Sequence, residues 1–132
     1  MQFTKAIIAL LSVASGVSAG CYEHGVSGNN GKDLKTRQLI RLTCKNLAGG
    51  YYGDEERGTC VVDDANVKWN FYFKNTDSKH QTLGEDYCVT RLEDRAYNCA
   101  NGGKLTKDKW EAISDPNRGN CIGTTQKRFV QF

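Results

Sequence analysis

VKWNFYFKN, residues 67–75, is the stretch that decides the fold. Val67, Trp69, Phe71 and Phe73 are large and apolar and alternate with Lys68, Asn70, Tyr72 and Lys74. A period of two puts the two sets on opposite faces of a strand, a geometry that aromatic and β-branched residues favour. One face is therefore committed to a core, where burying Trp69, Phe71 and Phe73 is worth about 1.5–3 kcal/mol each. The other face carries Lys68, Asn70 and Tyr72 in a row, two polar groups and an aromatic that either meet water or serve a ligand.

On the N-terminal side, Asp63, Asp64, Ala65 and Asn66 form a turn that joins this strand to a shorter one over residues 59–62 as a hairpin. A charged turn over residues 53–57 precedes it, and Tyr51 and Tyr52 open a further strand. Upstream, Leu34, Leu39, Ile40, Cys44, Leu47 and Ala48 recur at helical steps between a capping Asp33 and a terminating Gly49 and Gly50. Lys35, Arg37, Arg41 and Lys45 make the rest of that helix basic, as on a solvated face. Residues 21–31 read as a short strand entering a loop rich in glycine and asparagine.

On the C-terminal side, residues 75–79 turn the chain, and Thr82 stands three positions before Glu85 in capping-box spacing. Cys88, Leu92, Ala96 and Cys99 then form the apolar stripe of a second helix, which Asn101, Gly102 and Gly103 stop. Residues 109–114 read as a strand holding Trp110 and Ala112, residues 115–119 as a turn around Pro116, and residues 128–132 as a weakly alternating edge strand or unpacked end. The expected fold is one α/β (α+β) domain, with an antiparallel sheet of four or five strands packed with two helices in a layered sandwich.

The first nineteen residues have a basic start at Lys5, a short apolar run and a small-residue end at Ala19, the pattern of a secretory signal. Cleavage there leaves residues 20–132 with a net charge of +2, too mild to imply nucleic acid or membrane binding. All six cysteines, Cys21, Cys44, Cys60, Cys88, Cys99 and Cys121, fall in this part and predict three disulfides in an oxidising, extracellular setting. Six cysteines permit fifteen pairings, and spacing does not choose among them; the preferred set joins Cys44 to Cys60, Cys99 to Cys121 and Cys21 to Cys88. No cysteine or histidine cluster suits zinc, and no Asn-x-Ser/Thr triplet is present.

Catalytic patterns are weak. His24 and His80 invite an RNA-cleaving acid and base, but both lie in loop-like stretches without apolar flanks. Ser27, Ser78 and Ser114 belong to no nucleophile elbow. Asp54, Glu55, Glu56, Asp63 and Asp64 crowd into turns where solvent leaves carboxyls ordinary, and Asp63, Asp64 and Asn66 lack a long calcium loop. What remains is a set of aromatics near turns: Tyr22, Tyr51, Tyr52, Tyr72, Tyr97 and Trp110. A sugar ring wants a flat aromatic beside polar groups, which Tyr72 with Asn70 and Lys68, or Trp110 with Asp115, Asn117 and Arg118, would supply.

The landmarks Cys21-Tyr22, Gly25, Cys44, Gly50-Tyr51, Cys60, Cys88, Leu92 and Cys99, followed by GGKLTKDKWEAISDPNRGNC at residues 102–121, span almost the whole exported chain. This pattern resembles a family of small, secreted, cysteine-rich fungal proteins with a glycan-binding domain, typified by the shaggy ink cap lectin. The resemblance implies an α/β/α-type sandwich, a homodimer formed through sheet edges, and binding of glycans bearing N-acetylated sugars rather than turnover; no cofactor or metal is expected. The recognisable positions are structural, so it transfers no sugar-contacting residue. The expected function is a secreted, non-enzymatic, lectin-like protein, acting as an effector if a host protein has become its target. A secreted ribonuclease or a killer-toxin-like antimicrobial protein is the alternative.

Overall fold

The computed structural model describes residues 18–34, 38–121 and, as backbone, 128–130. Residues 1–17, most of the expected export signal, lie outside the described residues. A six-stranded antiparallel sheet contains β1 (Ser18–Cys21), β3 (Glu56–Val62), β4 (Lys68–Asn75), β6 (Gly103–Lys107), β7 (Trp110–Asn117) and β8 (Arg128–Val130), in the order β1-β6-β7-β4-β3-β8. The three-residue β8 brings the count one above the expected upper number. A separate two-stranded sheet pairs β2 (Gly49–Tyr51) with β5 (Gln81–Leu83). The helices are α1 (Gln38–Leu47) and α2 (Glu85–Asn98), preceded by a tight 3₁₀ segment at Asn29–Leu34.

The alternation in residues 67–75 has the predicted outcome. Trp69, Phe71 and Phe73 are fully buried, with Trp69 and Phe71 stacked at 5.7 Å. Ile40, Cys44 and Leu47 of α1 and Cys88, Leu92 and Ala96 of α2 pack into the same cluster. Both described helices therefore cover one face of the sheet, giving two layers where the resemblance implies three. Trp110 closes the core edge-on to Tyr51 at 5.1 Å and to Phe73 at 6.1 Å.

Buried polar groups align the layers. The Trp69 indole N–H donates to Asp63 Oδ2 at 2.9 Å, while Asp63 Oδ1 accepts the N–H groups of Ala65 and Val67. One carboxylate thus builds the β3–β4 turn and orients the core tryptophan. Gly28 lies against that tryptophan, where an added Cβ would come within 2.4 Å of the ring. Asn75, also fully buried, donates to the carbonyls of Tyr52 and Lys79 and accepts from the Asp77 N–H and the Gln81 amide, tying the small sheet to β4. Ser114 Oγ on β7 donates to the Leu92 carbonyl of α2 at 2.8 Å.

Several local expectations are corrected. Residues 115–117, expected as a turn, are the end of β7, with Pro116 opposite Trp69. There β7 has passed the end of β6, so the missing proline N–H costs no ladder bond on that side. The β6–β7 hairpin instead turns at Asp108 and Lys109, both with positive φ, a two-residue turn whose usual glycine signal is absent. Asp33 lies in the 3₁₀ segment rather than capping α1, and Thr82 lies in β5 while Gly84 caps α2 without a side-chain bond.

All three pairings differ from the preferred set. The bridges are Cys21–Cys99, Cys44–Cys88 and Cys60–Cys121, spanning 78, 44 and 61 positions, and no described cysteine is free. The preference for short loops weighed chain entropy alone, whereas facing stripes on α1 and α2 bring Cys44 and Cys88 together. In the chain-entropy account a loop of this length is worth about 4 kcal/mol. Cys44→Ser and Cys88→Ser should therefore lower unfolding free energy by equal amounts of that order in urea titrations. Asp63→Ala should cost about 3 kcal/mol by leaving buried donors unpaired. The same change should cost clearly less in a Trp69→Phe background, where one donor is already gone.

Candidate functional site on the open sheet face

No described helix covers the second face of the large sheet. Strand register determines what stands on it: Lys68 is opposite Asn117, Asn70 opposite Asp115, Tyr72 opposite Ile113, and Lys74 opposite Glu111. On the other flank Cys60 is opposite Asn70 and Gly58 opposite Tyr72. Lys68, Asn70, Tyr72, Asp115 and Asn117 are all half-buried. Cross-strand neighbours on one face lie about 5 Å apart and alternate residues along a strand about 6.7 Å apart, so these five form a continuous patch.

Part of the hydrogen-bonding capacity of this patch is not used among the described residues. The side chains of Lys68 and Asn70 and the carboxylate of Asp115 have no hydrogen-bond or ion-pair partner among the described residues, although the Asp115 backbone carbonyl accepts from Asn117 Nδ2. Tyr72 lies against Gly58, where an added Cβ would approach its ring to 2.5 Å, so the glycine makes room for the ring. Tyr22, just beyond β1, brings a second aromatic to the patch. Partial burial, followed by the charges of Asp115 and Glu111, pushes its phenol above the ordinary value.

One rim is covalent. After Asn117 the chain must pass from β7 across β4 to place Cys121 on Cys60 of β3. Exposed Arg118 lies at the start of this crossing. Of the two groupings read from sequence, Tyr72 with Asn70 and Lys68 stands together. Trp110 is separated from Asp115, Asn117 and Arg118 because it points into the core with the even-numbered positions of β7. Asp115 and Asn117 instead join the Tyr72 group, an arrangement hidden while they were read as a turn. Tyr22 was visible only as an aromatic near a turn; its approach to Asp115 depends on β1 pairing with β6.

A second polar cluster lies by the small sheet. Glu55, expected in a solvated turn, is buried, with Oε2 accepting from Arg57 Nε at 2.8 Å and Oε1 from the Tyr52 N–H at 2.8 Å. Burial alone would raise this carboxyl, but those two hydrogen bonds and the charges of Arg57 and His80 carry it below its ordinary value of 4.5. Arg57 also lies over the Tyr51 ring at 4.0 Å and donates to the Gly50 carbonyl. Burial pushes the Tyr51 phenol strongly upward against the opposing pull of Arg57, and its hydroxyl donates to the Leu47 carbonyl at the end of α1. Both Glu55 oxygens are occupied, so the cluster fastens β2 to β3 and leaves no free base.

The remaining catalytic and metal candidates are dispersed. His24 follows β1 at one edge of the large sheet, while His80 is exposed beside Tyr52 and precedes β5. Asp63, beside Asp64 and Asn66, already accepts from three N–H donors, those of Ala65, Val67 and the Trp69 indole. Among the described residues no three His, Cys, Asp or Glu side chains gather as a metal site, and no helix is long and apolar enough to cross a membrane. No known family profile matches the chain, and no curated protein sequence matches it significantly.

A carboxylate held below its unfolded value contributes stability that is full above about pH 4.5 and is lost as pH falls through the folded value. Glu55→Gln should therefore be destabilised at pH 7 and show a shallower loss of stability than wild type below pH 4.5, read by urea midpoints across an acid series.

Proposed function

We propose that the protein is an exported, non-catalytic glycan-binding protein that holds sugar rings on the open sheet face. The observation that carries this reading is the adjoining pair Asn70 and Asp115, half-buried with side chains that lack a hydrogen-bond partner among the described residues, and flanked by Tyr72 and Tyr22. Asn70 offers an amide donor and acceptor, Asp115 two strong acceptors, and Lys68 a cation at one end. The tyrosine rings supply apolar surface for a pyranose C–H face. Three disulfides fit an extracellular setting and keep the platform stiff, so little ordering entropy opposes binding.

The resemblance of the cysteine and glycine landmarks supports N-acetylated sugars as the ligand class, with an effector role toward a host or competitor and a sheet-edge homodimer as its accompaniments. An array of N-acetylated and plain glycans probed with the oxidised protein tests this. Binding should favour the N-acetylated set and fall about tenfold or more in Asn70→Ala, Asp115→Ala and Tyr72→Ala. It should be unchanged in Lys45→Ala on the far side of the molecule. Absence of glycan binding by correctly bridged protein, or binding indifferent to all three substitutions, would overturn the proposal.

A further inference from the structure

The helical layer carries a second concavity on the opposite side of the sheet from the glycan patch. It is a groove of about 550 Å³ lined by Gln38, Arg41, Leu42 and Lys45 of α1 and by Glu85, Asp86 and Val89 of α2. The α1 residues are spaced three and four apart, so they form one stripe about 10 Å long. Leu42 is 55% exposed within it, an apolar side chain on a helix whose buried stripe runs through Ile40, Cys44 and Leu47. Beneath lies the Cys44–Cys88 bridge, which fixes the two walls relative to each other.

The charges are arranged in opposition. Arg41 and Lys45 face from one wall, Glu85 and Asp86 from the other, and all four are exposed. None of these side chains has an ion pair or hydrogen bond among the described residues, so the walls do not close on each other. A simple anion would gain from one wall and be repelled by the other, and a simple cation likewise. A ligand carrying both charges, with an apolar middle over Leu42 and Val89, gains from both. The lining contains no aromatic side chain, so a quaternary ammonium would find no cage, whereas a primary ammonium can hydrogen-bond the two carboxylates.

We propose that the α1–α2 groove binds a short zwitterionic peptide, its free carboxylate toward Arg41 and Lys45 and its free ammonium toward Glu85 and Asp86. An extended tripeptide reaches about 10 Å, comparable to the roughly 8–10 Å between the axes of two packed helices that it has to span from the α1 wall to the α2 wall. This site shares no residue with the glycan patch, so either reading can fail alone.

The probe is Ala-Leu-Ala with both ends free, compared with its N-acetylated and C-amidated forms, followed by NMR at the methyl groups of Leu42 and Val89. The free tripeptide should give saturable shifts, and each capped form should bind about tenfold more weakly or worse. Reversing both α1 charges (Arg41→Glu with Lys45→Glu) should abolish binding, and so should reversing both α2 charges (Glu85→Arg with Asp86→Arg), while the double reversal of the two walls should restore it with the peptide turned end for end. All four groove charges are exposed, so each variant should stay folded, which circular dichroism checks. No saturable shift up to about 10 mM, equal binding of the capped forms, or failure of the double reversal to recover would overturn the proposal.

Discussion

The structure depends on the dry face of β4 being sealed without leaving a polar atom stranded. Trp69 is the largest side chain in that seal, and its indole N–H would be costly to bury unpaired. Asp63 answers it from the preceding turn with the same carboxylate that shapes the turn. A local element and a long-range packing requirement are thus satisfied by one residue. Once β4 is oriented, the partners on either side inherit their facing: β3 and β7 must also turn alternate residues toward the helices. The open face is the remainder of that choice, and Lys68, Asn70, Tyr72, Asp115 and Asn117 gather there because the core claimed their neighbours.

Much of this layout was legible in the sequence wherever one physical signal dominated. The alternation of residues 67–75 and the apolar stripes through Cys44 and Cys88 identified the core strand and both helices. Legibility failed where two signals competed. Asp115-Pro116-Asn117 has turn composition, yet burial opposite Trp69 and an open flank beyond β6 make it strand. Asp108-Lys109 has no glycine, yet the hairpin twist drives both residues into the left-handed region. The candidate site suffered most from the first error, since two of its five residues lie on the segment read as a turn. The row on β4 needed only its own alternation to be seen.

The disulfides show why loop length alone was a poor guide. Entropy favours closing near neighbours only when nothing else positions the chain, and here the fold decides which sulfurs meet. Cys44 and Cys88 lie on facing helical stripes, and Cys21 meets Cys99 where β1 runs beside the end of α2. Together the three bridges fasten helix to helix, sheet edge to helix, and C-terminal segment to sheet, one for each junction of the layers.

The Cys60–Cys121 bridge also acts as a check on strand register. Its two cysteines come from opposite flanks of β4, and Cys60 faces the open side only because β3 is aligned as it is. A slip of one residue would turn Cys60 toward the helices and out of reach of Cys121. Oxidation of this pair therefore accepts the correctly aligned sheet and rejects its nearest misalignment, so the closed bond is a chemical record that the strands were proofread before the chain was locked.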